Sequence, residues 1–164
     1  MARFRPRESK ELVSDAIPVE APYEAHRLLA FWKDHARDGM IPSRDDFTPD
    51  NLLLWIEDIS IYEYHPEKDD YQILLEGENI VALSGEDWRG AYAREIDCRY
   101  AASLHAALSK ARRTGQAQIH LVHIFQKQWL RGVRLLLPVR RVGKREGEED
   151  LLQIFLAIFP MPAE

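Results

Sequence analysis

The sequence predicts an α+β domain in which helices pack against an antiparallel sheet, and three observations lead to this fold class. The chain has 164 residues, the usual size of one domain. Within 71–90 the alternation of a strand changes abruptly, after Gly77, to the spacing of a short helix. The segment 117–159 holds three strand-like stretches with apolar residues on both faces. We therefore expect both faces of the sheet to be covered.

The composition is that of a soluble globular protein, with 46% hydrophobic and 30% charged residues. No apolar run reaches the roughly 18 to 20 residues that a membrane span needs, and residues 1–11 lack the apolar segment of a secretory signal. Cys98 is the single cysteine, which excludes an internal disulfide and agrees with a reducing compartment. We expect a cytoplasmic protein with no membrane span.

The charge is unevenly distributed. Residues 110–145 hold ten Lys or Arg and no Asp or Glu, although the chain as a whole has a net charge of −5. Such a segment can meet an anionic ligand or an acidic partner, or its bases can pair with acids of the same fold, which we expect here. The segment lacks the interleaved aromatic residues of a single-strand platform, so no nucleic-acid partner is predicted.

The chain is predicted to begin with a loosely ordered lead-in, 1–20, and to continue as a single domain, 21–164. A helix is expected over 21–38, with Gly39 as its C-terminal cap. Trp32 lies on the apolar stripe of this helix and is interpreted as core packing.

The next segment carries two helix-start signals. Ser43 is placed to cap a short turn, and Thr48 before Pro49 predicts a short helix to residue 55. A β-hairpin follows, with strands at 57–64 and 70–76.

The C-terminal half is expected to contain a helical turn at 91–97 and a longer helix at 98–113. Asp97 is the predicted N-cap of that helix, and Gly115 its C-terminal cap. Three strands, at 117–126, 129–139 and 150–159, complete the sheet.

Tests for catalytic and metal-binding motifs gave no prediction of either. His120 and His123 are three residues apart, and on a regular strand they point to opposite faces, so one metal ion cannot readily take both. The glycines between 77 and 85 spell neither a phosphate loop nor a dinucleotide fingerprint.

The chain resembles a family of small bacterial PAS-like proteins over residues 24–160. The similarity lies in Phe31-Trp32, Ile-Pro-Ser-Arg-Asp-Asp-Phe-Thr-Pro at 41–49, Gly-Glu-Asn-Ile at 77–80, Gly-Glu-Asp-Trp-Arg-Gly at 85–90 and Leu-Leu-Leu-Pro at 135–138. The resemblance implies a five-stranded antiparallel sheet, with a cluster of short helices and one longer helix on one face, in addition to the N-terminal helix. It implies a sensory, ligand-binding or interaction role without known catalysis. Glu78 departs from the family, which commonly has a small residue there.

The resemblance also implies a pocket between the helical segments 77–97 and 98–113 and the inner face of the sheet. Nine residues are candidates to reach it: Glu78, Trp88, Tyr92, Tyr100, His105, His120, His123, Arg131 and Arg134. On regular strands His120 and His123 cannot both face inward, and the same holds for Arg131 and Arg134. No cofactor is predicted; haem or flavin is suggested only by analogy with other PAS domains, with His105 as the least implausible axial ligand.

The leading hypothesis is a PAS-like sensory or regulatory module that binds a small molecule, a protein partner or both. The chain shows no output domain, so its signal is expected to pass to a partner. One alternative is a dimerisation scaffold with a filled core, a homodimer formed through a sheet face and the N-terminal helix. The other is a small α+β enzyme with His105 or His120 as a base.

Overall fold

The computed structural model describes residues 11–127 and 130–162, and its class is α+β. Its helices and strands follow the order β1 (Leu12–Ser14), α1 (Tyr23–His35), β2 (Ile59–His65), β3 (Asp70–Glu76), α2 (Glu78–Ser84), α3 (Ala93–Tyr100), α4 (Leu104–Thr114), β4 (Gln118–His123), β5 (Arg131–Arg141) and β6 (Leu151–Pro160). Short 3-10 turns lie at Arg37–Gly39, Arg44–Asp46, Ile56–Asp58 and Ile124–Gln126. In this part of the chain, no helix has both the length and the apolar character needed to span a membrane.

The described strands form one antiparallel sheet in the order β1-β4-β5-β6-β2-β3. It has six strands, whereas five were expected. The additional strand is β1, which pairs Leu12 with Leu121 inside the segment expected to be loosely ordered. Residues 1–10 of that segment lie outside the described residues. Leu12 and Val13 are 62% and 61% exposed, so β1 has no buried alternation that sequence analysis can detect.

Each face of the sheet is covered by other parts of the same chain. On the outer face, α1 and the segment 36–58 bury one apolar cluster, which includes Trp32, Phe47 and Phe155. On the inner face, α2, α3 and α4 bury a second cluster, which includes Tyr71 and Leu136. Double coverage agrees with the expectation from the sequence. It also leaves neither sheet face free, so this arrangement does not support a homodimer through a sheet face.

The segment 41–49 binds directly to the sheet. The backbone N–H of Arg140 donates to Pro42 O at 2.8 Å, and Ser43 Oγ accepts from the N–H of Asp45, as its predicted capping role requires. Trp32 Nε1 donates to Pro138 O at 2.8 Å in a buried position, so Trp32 is a core residue. The short helix predicted over 49–55 is wrong: this stretch is a run of turns.

The single helix predicted over 98–113 is also wrong, because two helices occupy the region. The chain turns sharply at Ala101, where φ is +49°, and α4 begins at Leu104. Asp97 lies in α3, yet its carboxylate accepts from the N–H groups of Leu104 at 2.6 Å and His105 at 3.0 Å. It therefore caps α4 from the preceding helix. Gly115 is the C-terminal cap of α4, as predicted.

Gly77 joins the sheet to the helices of the inner face. Its N–H donates to Ile59 O at 2.8 Å. A Cβ at Gly77 would lie 2.3 Å from the carbonyl oxygen of Glu57. Glycine is required because the backbones of Gly77 and Glu57 approach each other closely. The next residue, Glu78, begins α2.

Candidate functional site

A cavity of about 80 Å³ lies between the inner face of the sheet and the helices α2, α3 and α4. Its apolar wall comes from nine residues: Ile80, Ile96, Ala102, Leu104, Val122, Ile124, Phe125, Leu156 and Ile158. Its polar wall comes from Glu11, Ser60, Tyr62, Glu76, Trp88, Tyr100, His123 and Arg134. This volume has room for several waters or for a compact organic molecule.

Unsatisfied hydrogen-bonding groups distinguish this cavity. Among the described residues, four buried polar side-chain atoms have no hydrogen-bond partner, and three of them belong to residues that line it: Ser60 Oγ, His123 Nδ1 and Arg134 Nε. Folded proteins satisfy nearly all such groups, and each one left unpaired costs about 1–3 kcal/mol. The residues around the cavity thus hold donors and acceptors that the described parts of the protein do not use.

Arg134 is the main charged group of the cavity. It is only 6% exposed. Its two terminal nitrogens donate to the two carboxylate oxygens of Glu11, each at 2.9 Å. His120 lies beside it, with Nδ1 3.3 Å from Arg134 Nη2. Burial, together with the charge of Arg134, lowers the pKa of His120 to about 4, so this imidazole is neutral at physiological pH.

Two further ionisable groups line the opposite side. Glu76 accepts from the backbone N–H of Trp88 at 2.7 Å, and burial raises the pKa of its carboxyl group. Burial also raises the pKa of Tyr62 above its ordinary value, so its hydroxyl keeps its proton. Ser60 and Glu76 are paired across β2 and β3, which places them next to each other on the sheet.

Aromatic residues form the roof. Trp88 Nε1 donates to the hydroxyl of Tyr100 at 3.4 Å, and that hydroxyl donates to Glu86 at 2.8 Å. The ring of Phe125 packs on Tyr100, with 5.2 Å between centroids. Lys127 Nζ, beyond the end of β4, donates to a carbonyl at the end of α2. The roof thus joins α2, α3 and the end of β4, and each of the three contributes to the cavity or its cover.

The structure brings some of the predicted site residues together and leaves others apart. Trp88, Tyr100, His123 and Arg134 line the cavity, and His120 packs behind Arg134. Four others lie outside the cavity lining: Glu78, Tyr92, His105 and Arg131.

Those four residues occupy other places on the protein. Glu78 lies in an open groove beside Gly77, the hydroxyl of Tyr92 accepts from Lys68, His105 Nε2 is 2.7 Å from Asp69 O, and Arg131 is exposed at the start of β5. Glu78 therefore does not line this cavity.

Four polar lining residues were not predicted from the sequence: Glu11, Ser60, Tyr62 and Glu76. A serine inside an apolar strand was a usable signal for Ser60, because a buried hydroxyl needs a partner. Tyr62 and Glu76 look like ordinary strand residues. No pattern in the sequence around Glu11 marks it as a lining residue, because its place there depends on the ion pair with the distant Arg134.

Part of the basic segment 110–145 is balanced within the fold. Arg134 pairs with Glu11, and Arg140 and Arg141, both half-exposed, pair with Asp150 and Glu63. Arg112 donates to the hydroxyl of Tyr71. These contacts agree with the expectation that the basic side chains pair with groups of the same protein.

The cavity does not fit haem or flavin. Pockets for such ligands usually measure about 300–1,000 Å³, well above the space here, and the imidazole of His105 points away to the backbone of Asp69. Within 11–127 and 130–162, no group of three or more His, Cys, Asp or Glu side chains is placed to hold a metal ion.

The chain was compared with models of protein families, with curated proteins and with solved structures, and none of the three comparisons found a match.

Proposed function

We propose that the protein is a PAS-like sensory or regulatory module that binds a small molecule in the cavity under α2, α3 and α4. The observation that carries the proposal is that three residues lining this one cavity each hold a buried, unpartnered polar atom: Ser60 Oγ, His123 Nδ1 and Arg134 Nε. The order of elements supports the PAS-like assignment, since two strands, short helices, a longer helix and three strands follow one another.

A regulatory role is supported by what the cavity touches. Its lining comes from β2, β3, β4, β5 and β6, from three helices and from the residue before β1. If these elements have two arrangements, a ligand that binds one of them more tightly shifts the population toward that arrangement. The size of the shift is set by the difference between its affinities for the two arrangements. In this proposal a separate protein partner then receives the signal.

Native mass spectrometry of freshly purified protein tests the proposal. We expect a bound small molecule, or a compound from a metabolite library that raises the melting temperature. Val122→Phe adds volume at a lining residue that is 8% exposed, and it should abolish binding. Val142→Phe is the matched control, because it makes the same change at a residue that is 41% exposed.

Two results would overturn the proposal. One is wild-type protein that carries no small molecule and is stabilised by no compound in the library. The other is a bound compound whose affinity is the same in Val122→Phe, because that compound would bind elsewhere. A stable dimer without any ligand would favour the scaffold alternative.

A further inference from the structure

We propose that the ligand of this cavity is a small carboxylate, and that its carboxylate group replaces that of Glu11 on Arg134 and releases strand β1 from the sheet. This inference rests on the proposed function, which leaves the class of ligand open.

Arg134 is already engaged in recognising a carboxylate. Both contacts with Glu11 measure 2.9 Å, the two-point geometry in which a planar guanidinium matches a planar carboxylate. Its third donor, Nε, is buried and unpartnered within the described residues. An incoming carboxylate can therefore reproduce both existing bonds, and a ligand with a further acceptor can add a third.

Glu11 is held only by a short peripheral element. It directly precedes β1, which has three residues and, within the described part of the chain, pairs only with β4 at the edge of the sheet. Leu12 and Val13 are 62% and 61% exposed, so releasing β1 uncovers little additional apolar surface. Short edge elements with few buried contacts open at low free energy, which makes Glu11 a competitor that a ligand can displace.

The rest of the wall suits a compact organic acid. With His120 neutral and Glu11 displaced, Arg134 is left as a buried positive charge, and such a charge requires an anion. Glu76 is the other carboxyl group of the lining, and its strand is three strands away from β5, or about 14 Å at the usual strand spacing. The apolar wall of Ile80, Leu104 and Ile158 receives the hydrocarbon part.

The test measures the binding of butyrate and benzoate, with butyramide and benzamide as neutral compounds of matched size and benzylamine as the cation. Wild type, Glu11→Ala, Arg134→Lys and the exposed-site control Glu20→Ala are titrated by calorimetry. Glu11→Ala removes the internal competitor, so it should bind the carboxylates about tenfold more tightly than wild type does. Arg134→Lys keeps the charge but loses the two-point geometry, so it should weaken binding, and Glu20→Ala should match wild type.

Hydrogen exchange tests the second part of the proposal, the release of β1 from the sheet. In wild type, benzoate should speed exchange of the backbone amides of Leu12–Ser14, whereas benzamide should not. If the carboxylates bind with equal affinity to wild type and to Glu11→Ala, or without faster exchange in β1, displacement of Glu11 is wrong. Since Arg134→Lys and Glu11→Ala each test one partner, the failure of one variant to fold leaves the other as a readout.

The outcomes separate this inference from the proposed function. If benzamide or benzylamine binds as tightly as benzoate and Val122→Phe abolishes that binding, the ligand is not selected for a carboxylate. The proposal of a small-molecule site in the cavity would then still hold. If none of the five compounds binds to wild type or to Glu11→Ala, the inference falls. The proposed function then falls with it only if native mass spectrometry and the metabolite library also find no ligand.

Discussion

Glu11 and Arg134 lie 123 residues apart in the chain, yet their side chains form a two-point ion pair with both bonds at 2.9 Å. The pair is largely shielded from water, with 8% of the Arg134 side chain and 16% of the Glu11 side chain exposed. It joins the residue before the edge strand β1 to the centre of the sheet and closes one side of the cavity. Changes at either residue are therefore expected to act on stability and on the cavity together.

Removing the carboxylate should destabilise the protein more than removing the guanidinium does. Glu11→Ala leaves Arg134 charged and buried, with no partner for its terminal nitrogens except the neutral His120. Arg134→Met leaves Glu11 beside an edge strand, where the carboxylate can turn to water. We expect a loss of about 3 kcal/mol in the free energy of unfolding for Glu11→Ala, and less for Arg134→Met.

Urea unfolding of both variants measures the difference, with Arg145→Gln as a control in an exposed turn. The control should match wild type. If Arg134→Met proves the more damaging of the two, the burial argument is incorrect.

His120 should make the protein less stable as the pH falls from 6.5 toward 4. The pKa of His120 is about 4 in the folded protein, below its ordinary value of 6.5, first because of burial and then because of Arg134. Between these values the unfolded chain binds a proton that the folded chain does not, so acid favours unfolding. The slope from this residue is at most about 1.4 kcal/mol per pH unit, because only one proton is involved.

The pH dependence is measured by urea unfolding at half-unit steps from pH 7 to pH 4. His120→Gln should flatten the profile in that window. Subtracting the profile of the variant from that of wild type removes the contribution of the carboxyl groups common to both. Glu11, Arg134 and Lys110 also act on His120, so an unchanged slope in His120→Gln would mean that another group carries the effect.

Gly77→Ala should destabilise the protein by about 3 kcal/mol, as overpacking against rigid backbone does. The new Cβ would meet Glu57 O at 2.3 Å and Ile59 O at 2.9 Å, and backbone atoms cannot turn aside as a side chain can. Gly85→Ala is the matched control at the other end of α2. A Cβ at Gly85 would have no atom within 4 Å, but φ there is +79°. This variant should therefore lose only about 1 kcal/mol, from backbone strain. Thermal unfolding compares the two; equal losses would show that contact with Glu57 is unimportant.

Asp97→Ala should weaken the start of α4. The carboxylate accepts from the N–H groups of Leu104 and His105, and losing such a cap costs about 1–2 kcal/mol. Asp97→Asn keeps one acceptor and should retain most of the stability. Hydrogen exchange at the first turn of α4 should rise in the alanine variant; unchanged protection there would count against the capping role.

Local pattern in the sequence determined several elements of this protein. The strand at 70–76 was predicted with the bounds that β3 has, and Gly115 was identified as the end of α4. The apolar residues on both faces of the last strands indicated that the sheet is covered on both sides, as α1 and the helices α2–α4 now show. These features follow from neighbours a few residues apart, which periodicity and capping residues record directly.

Only the tertiary structure decided what depends on distant residues. The strand β1 exists because it pairs with β4, and the break at Ala101 separates helices that sequence analysis joined. Of the nine predicted site residues, Trp88, Tyr100, His123 and Arg134 reach the cavity. Glu11 joins them only because Arg134 attracts its carboxylate from 123 residues away. A contact of that kind leaves no periodic trace near either residue, because it is set by how the sheet and helices pack.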